Sequence, residues 1–309
     1  MAVYVVTGGA GFIGSNIVRR LVRDGQGVRV VDDLSTGKLA NLEDVAGAIT
    51  LHEGSICDRG LLGEAFAGAD FVLHQAAIAS VPESVENPLR VNEANVAGTL
   101  SVLCAARDAG VRRVVYASSC AVYGDSSELP KREDMLPAPM SPYAVSKLAG
   151  EHYCRAFGQV YGLETVCLRY FNVYGPHQDP SGPYAAVVPM FARAIADGQS
   201  PRVFGDGEQS RDFVFVEDVV EANLRAAAVE GAGGTILNIG FGERHTLNEL
   251  LHILAEVTGR SFATDYAEPR PGDLRHSEAD ITRAREVLGF EARVGFAEGV
   301  RRTAEWYLS

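Results

Sequence analysis

No stretch of this chain holds the run of about 20 apolar residues that a membrane span requires, so no membrane association is expected. Basic charge is also short. Lys and Arg number 28 against 40 Asp and Glu, a formal net charge of −12. That balance argues against nucleic acid as a partner, although a local group of arginines can still hold an anionic ligand. Cysteines are few and odd in number: Cys57, Cys104, Cys120, Cys154 and Cys167 lie among apolar neighbours without metal-ligand spacing. They read as thiols of a reducing cytoplasm, and no metal site is expected. No repeat or low-complexity linker divides the sequence, and it opens on a strand-like run rather than on a signal peptide. At 309 residues, the chain has room for one large α/β domain or for a main domain with a smaller partner.

Glycine is where the chain spends its conformational freedom first. "TGGAGFIG", Thr7 to Gly14, follows the apolar β-branched run Val3-Tyr4-Val5-Val6 and precedes Ile13, Ile17, Val18, Leu21 and Val22 at helical spacing. In a strand–turn–helix context, Gly8 permits the tight turn, Gly11 lets backbone N–H groups approach a pyrophosphate, and Gly14 lets the helix pack on the strand. The spacing is Gly8-x-x-Gly11-x-x-Gly14 rather than G-x-G-x-x-G, so an ordinary strand-to-helix turn is the competing explanation. The next strand, "VRVVDD", carries Asp32, 18 residues beyond Gly14. A carboxylate there accepts hydrogen bonds from both hydroxyls of an adenosine ribose and repels a 2′-phosphate. With Asp33 adjacent and no Arg until well downstream, the site favours NAD over NADP, unless Asp32 only caps its turn.

Strand-like and helix-like segments alternate through the first half, which predicts a Rossmann-like, doubly wound parallel sheet with helices on both faces. From about Tyr170 the alternation loosens around Pro176, Pro180, Pro183 and Pro189. The expected division is a dinucleotide domain, 1–170 plus 213–240, and a smaller α/β substrate domain, 171–212 plus 241–309. "RDFVFVEDVVEANLRAAAVE" and "TILNIG" are read as returns to the main sheet.

"SPYAVSK" places Tyr143 and Lys147 four residues apart, on one face of a helix. Ser141 supplies an N-cap and Pro142 a first-turn proline. The positive helix end and the ammonium favour a phenolate, an oxidised nicotinamide nearby would add a third positive charge, and such a Tyr can act as a general base. Upstream, Ser118 and Ser119 follow the apolar run "VVYA" at a strand end. One hydroxyl can hydrogen-bond a substrate oxygen, the other reads as a satisfied turn residue, and the sequence leaves open which is which.

These motifs occur in order along nearly the whole chain: "TGGAGFIG", "DDLSTGK", "HQAA", "NVAGT", "SSCAVYG", "SPYAVSK", "RYFNVYGP", "GDGEQSRDFVFVEDV", "NIG" and "RPGDLRHSEADI". Together they resemble the extended short-chain dehydrogenase/reductase family, and within it the nucleotide-diphosphate-sugar 4-epimerases of the UDP-galactose 4-epimerase type. The resemblance implies Ser119, Tyr143 and Lys147 as the catalytic residues. It implies contacts to NAD from Gly8, Gly11, Phe12, Ile13, Gly14, Asp32, Asp33, Ser35, Thr36, Gly37, Ser55, Ile56, Gln75, Ala76, Ala77, Asn95, Tyr143, Lys147 and Tyr170. The UDP-sugar falls to Ser118, Ser119, Tyr143, Asn172, Arg211, Arg270, Asp273 and Ser277, and two arginines suit a diphosphate because guanidinium forks pair with its oxygens. Ser277 stands where some members carry a bulky Tyr, which leaves room for a 2-acetamido group without excluding a 2-hydroxyl. One departure is visible: Ser55 replaces the Asp that usually binds the adenine amine. A homodimer in the cytoplasm is implied as well.

The reaction implied is a 4-epimerisation through a 4-keto sugar. A 4,6-dehydratase needs an acid/base pair where this chain has Cys120 and Ala121. A UDP-glucuronate 4-epimerase is harder to exclude than the dehydratase, the nearest rival, although "SVPES" lacks an Arg that many such enzymes carry. A non-enzymatic NAD-sensing regulator would keep the glycine turn but has no reason to keep Ser119, Tyr143 and Lys147 together.

Overall fold

A computed structural model describes residues 1–181, 186–269 and 274–308. Its first half runs β1 (Val3–Thr7), α1 (Phe12–Arg23), β2 (Gly27–Asp32), β3 (Thr50–Glu53), α2 (Arg59–Phe66), β4 (Phe71–His74), α3 (Val81–Glu86), α4 (Pro88–Asn92), a π-helical turn (Glu93–Ala97), α5 (Gly98–Asp108), β5 (Arg113–Ser119), α6 (Pro142–Tyr161) and β6 (Glu164–Tyr170). The second half adds β7 (Asn172–Tyr174), α7 (Val187–Ala196), β8 (Arg202–Phe204), β9 (Ser210–Arg211), β10 (Phe213–Phe215), α8 (Val216–Ala228), β11 (Thr235–Ile239), β12 (His245–Thr246), α9 (Leu247–Thr258), β13 (Asp265–Ala267), α10 (Thr282–Leu288) and α11 (Phe296–Leu308).

Seven strands form one parallel sheet in the order β11-β6-β5-β4-β1-β2-β3. Strand alternation explains why β1 is apolar from Val3 to Val6. Tyr4 and Val6 join Ile17, Val18 and Val219 on one face, while Val5 joins Leu62, Phe66, Val102 and Leu103 on the other. A parallel sheet with both faces covered has no polar side to show. The doubly wound sheet is the architecture expected from the sequence.

Beyond β6 a second core forms around Tyr174, whose ring meets Phe215 at 5.6 Å and Phe296 at 5.9 Å, both edge-on. Gly299 on α11 explains how the helix comes so close, since a Cβ there would lie 2.1 Å from the Tyr174 hydroxyl oxygen. The second core gathers α7, α9 and α11 with three small strand pairs: β7 with β10, β9 with β12 and β8 with β13. One expectation differs. β11 does join the large sheet beside β6, but Phe213–Phe215 pairs with β7 instead, because β7 carries the path of β6 beyond Phe171 and offers its own edge.

α6 is the element that matters most for the chemistry. The Ser141 hydroxyl accepts from the Ala144 N–H at 3.1 Å, Pro142 occupies the first turn, and Gly162 closes the far end in the left-handed region at φ 71°. Cap, proline and terminal glycine bound twenty residues, and they place Tyr143 in the first turn as the sequence predicts.

Candidate active site

Strand order reverses between β1 and β4, which connect to opposite sides of the sheet; α/β folds bind ligands outside the carboxyl ends of strands at such a point. A cavity of about 500 Å³ opens there. Its floor is the glycine turn. Gly8 sits at φ 69°, and a Cβ on it would lie 2.6 Å from the Ala76 backbone nitrogen; one on Gly14 would lie 2.1 Å from the Gly8 carbonyl oxygen. α1 begins at Gly11 with no capping side chain and no acid in its first turn, so its N-terminal N–H groups remain available to an anion. These are the features a dinucleotide pyrophosphate needs.

At the end of β2, Asp32 is buried; its Oδ2 accepts from the Ala10 N–H and its Oδ1 from the Leu34 N–H, both at 2.9 Å. Burial raises its pKa above the usual carboxylate value, against those two hydrogen bonds. Asp32 therefore does cap its turn, and it also lines the cavity. Each carboxylate oxygen retains a lone pair for a ribose hydroxyl. Gly37 stands behind it, where a Cβ would be 2.7 Å from Asp32 Oδ1.

At the opposite end, Lys147 is buried, and its Nζ donates to the Ala117 carbonyl at 2.8 Å. The ammonium lies 5.8 Å from the Tyr143 ring centre and 5.3 Å from that of Tyr116. Burial pulls Lys147 down to about 8. The same burial pushes the Tyr143 phenol up to about 12, against a hydrogen bond with Ser119 that favours its ionised form. Burial thus works against the phenolate that the helix end and Lys147 favour.

The two serines separate cleanly. Ser118 donates its only proton to Glu151, which sits on the α6 face of Tyr143 and Lys147, one turn further on. Glu151 in turn holds the Arg169 guanidinium in a two-pronged pair, Nε to Oε1 at 2.8 Å and Nη2 to Oε2 at 2.7 Å, with both side chains 2% exposed. Ser119 instead accepts from the Ala121 N–H at 3.2 Å and keeps its proton for the phenol side. Ser118 lines the cavity, and Ser119 does not.

Among the other sequence-predicted residues, Gly8, Gly11, Phe12, Ile13, Gly14, Asp33, Ser35, Thr36, Ser55, Ile56, Gln75, Ala76, Ala77 and Tyr170 line the cavity together with Asp32, Tyr143 and Lys147. Gly37 and Asn95 are not on its wall. Asn95 is buried and braces Ile78, accepting from its N–H at 2.8 Å and donating to its carbonyl at 3.0 Å. Asn172, Arg211 and Ser277 gather elsewhere, around the segment 210–212. The Asn172 amide donates to the Asp212 carbonyl at 3.1 Å, Arg211 to the Ser210 carbonyl at 3.0 Å, and the Ser277 N–H to the same Ser210 carbonyl at 3.0 Å. Arg270 and Asp273 lie outside the described residues. The sequence reading missed Glu151, Arg90, Glu93 and Cys57. Four-residue spacing from Tyr143 and Lys147 would have found Glu151, and three-residue spacing puts Arg90 and Glu93 on one helical face without linking them to Asn95.

A model of the NAD-dependent epimerase/dehydratase family matches residues 4–240. The chain is 43% identical over 307 residues to a UDP-glucose 4-epimerase of Mycolicibacterium smegmatis, covering 98% of this chain and 97% of that one. Among solved structures, a UDP-N-acetylglucosamine 4-epimerase of Methanobrevibacter ruminantium, in complex with UDP-N-acetylmuramic acid, superposes with a TM-score of 0.95 at 40% identity, covering 99% and 98% of the two chains. A UDP-glucose 4-epimerase of Thermus thermophilus in complex with NAD gives 0.89 at 41% identity, with coverage of 99% and 98%.

Proposed function

Because the chain belongs to the NAD-dependent epimerase/dehydratase family, we propose that it is an isomerase that interconverts UDP-hexoses at C4 through a 4-keto intermediate. The observation that carries this reading is one cavity lined by Tyr143 and Lys147 as well as by the glycine turn and Asp32, with Ser119 hydrogen-bonded to the Tyr143 phenol. Tyr143 takes the proton from the sugar 4-hydroxyl and later returns it. Lys147, fixed by the Ala117 carbonyl, holds positive charge beside the ring, and Ser119 steadies the phenol oxygen. NAD, when held by the glycine turn and Asp32, would supply the acceptor and donor for the C4 hydride and, in its oxidised form, a positive charge beside Tyr143. Asp32 receives the adenosine ribose and excludes a 2′-phosphate, which selects NAD.

Asn172, Arg211, Arg270 and Asp273 hold the UDP moiety in this reading, and Ser277 faces the sugar. A small buried side chain at Ser277 leaves space for a 2-acetamido group, so UDP-GlcNAc and UDP-GalNAc are substrates beside UDP-Glc and UDP-Gal. Purified protein given each UDP-sugar without added dinucleotide should bring it to equilibrium with its 4-epimer. A UDP-GlcNAc kcat/KM far below that for UDP-Glc would remove the role of Ser277, and conversion of UDP-glucuronate alone would move the activity to that series.

The same reading includes a homodimer. α3 and α4 pack beside α6, and together they expose Val85, Leu89 and Val145, the first two at 65% and 83%. A second copy of this chain covers them. Leu89→Glu puts a charge into that face and should shift the protein from dimer to monomer in sedimentation; an unchanged dimer would place the contact elsewhere. We place the enzyme in the cytoplasm, in keeping with five cysteines that are all free.

A further inference from the structure

One wall of the cavity is built by residues to which no role has yet been given. Arg90, Glu93 and Cys57 line it together with Asp32, Ser55 and Ile56. The π-helical turn presses on that wall. Cys57 donates its thiol to the Glu93 carbonyl at 3.6 Å, and a Cβ on Gly98 would lie 2.6 Å from Ile56 Cδ1. Arg90, one helical turn before Glu93, is held by the Glu83 carboxylate.

Resting on the reading that this cavity holds NAD, we propose that Glu93 accepts the adenine amino group and that the Arg90 guanidinium covers the face of the base. An exocyclic amine needs an acceptor. The Ser55 hydroxyl oxygen already accepts from the Cys57 N–H at 3.1 Å, so one of its two lone pairs is taken, and it is a neutral acceptor where a carboxylate is a charged one. Three carboxylates line the cavity among the described residues: Asp32, Asp33 and Glu93. Both oxygens of Asp32 accept backbone N–H groups at the ribose end, and Asp33 Oδ1 accepts from the Ser35 N–H at 3.0 Å. Glu93 is exposed, its carboxylate holds no backbone N–H as those of Asp32 and Asp33 do, and it is therefore the one left to face the edge of the base. A guanidinium stacks well on an aromatic face.

The test uses nicotinamide hypoxanthine dinucleotide, which presents a carbonyl where NAD presents the amine. Protein as purified is incubated to exchange equilibrium with mixtures of the two, then denatured, and the released cofactors are counted. Wild type should hold NAD over the analogue by about tenfold or more, the scale of one hydrogen bond to a charged acceptor. Glu93→Ala should shrink that preference to about twofold or less, with the KM for the UDP-sugar unchanged. Glu93→Gln, which keeps an acceptor without the charge, should fall between them. Arg90→Ala should weaken both cofactors alike, and no weakening would remove Arg90 from the proposal. A Glu93→Ala protein that keeps the full preference, or a wild type with none, overturns the assignment of Glu93. A wild type that retains no nicotinamide dinucleotide of either kind would instead refute the proposed function.

Discussion

Tyr143→Phe is expected to lower kcat by at least about 100-fold, the lower end of what general acid–base catalysis contributes, while leaving the UDP-sugar KM near its wild-type value. The substitution removes one oxygen and keeps the ring in its buried place on α6, so binding and fold should survive. The loss should be large because the phenol is where proton transfer is decided. Burial holds it at about 12, and a proton must leave it before it can serve as a base. Each unit by which a neighbouring positive charge lowers that value is worth about 1.4 kcal/mol. Lys147 sits too deep, and is itself pulled down to about 8, for the chain alone to supply the whole shift. Steady-state kinetics with equal protein amounts make the check. Wild-type turnover in Tyr143→Phe would remove the residue from the chemistry.

The second large effect concerns folding. Arg169→Met should cost about 3–5 kcal/mol of stability, because it leaves Glu151 as a buried carboxylate without its counter-charge. The pair is two-pronged and 2% exposed on both sides, so water offers no replacement. Burial alone works against the Arg169 charge, and the Glu151 carboxylate more than offsets it, which raises the guanidinium above its ordinary value. Replacing both partners by apolar groups, as in Glu151→Leu with Arg169→Met, should recover most of the loss, since the desolvation cost of both ions then disappears. Urea unfolding of the two proteins distinguishes the cases. If the double substitution is no more stable than Arg169→Met alone, the pair is worth its charge and not merely its match. Ser118 gives the pair a second consequence. It donates to Glu151, so the ion pair also fixes the end of β5, from which Ala117 holds Lys147 and Ser119 reaches Tyr143.

What could be seen in the sequence was what is local. The glycine turn, the Asp32 strand end and the capped start of α6 each depend on residues within about one helical turn or strand of one another. The 3.6 and 2.0 periodicities carry that information directly. Two kinds of fact escaped. The first is contact across long separations. Nothing near Ser118 says that its proton is taken, because Glu151 approaches from α6, 33 residues on, and brings Arg169 from β6 with it. Glu93 and Arg90 reach the cavity only because the π-helical turn is pressed onto Ser55–Cys57. The second is solvation. Spacing places an ammonium beside a phenol, but only the packed environment shows that both are desolvated, and that burial dominates the phenol. Phe213–Phe215 was misread for a related reason: an apolar run announces a strand without saying which edge it will meet.

The central claim is that hydrogen leaves C4 of the sugar, is held within the site and returns to the same carbon on its other face. UDP-glucose and UDP-GlcNAc carrying deuterium at C4 should each be converted to the 4-epimer by the purified protein with no added dinucleotide, and the product should keep its deuterium at C4. Loss of the label to solvent, or conversion that begins only when free NAD is supplied and NADH accumulates with turnover, would contradict the account.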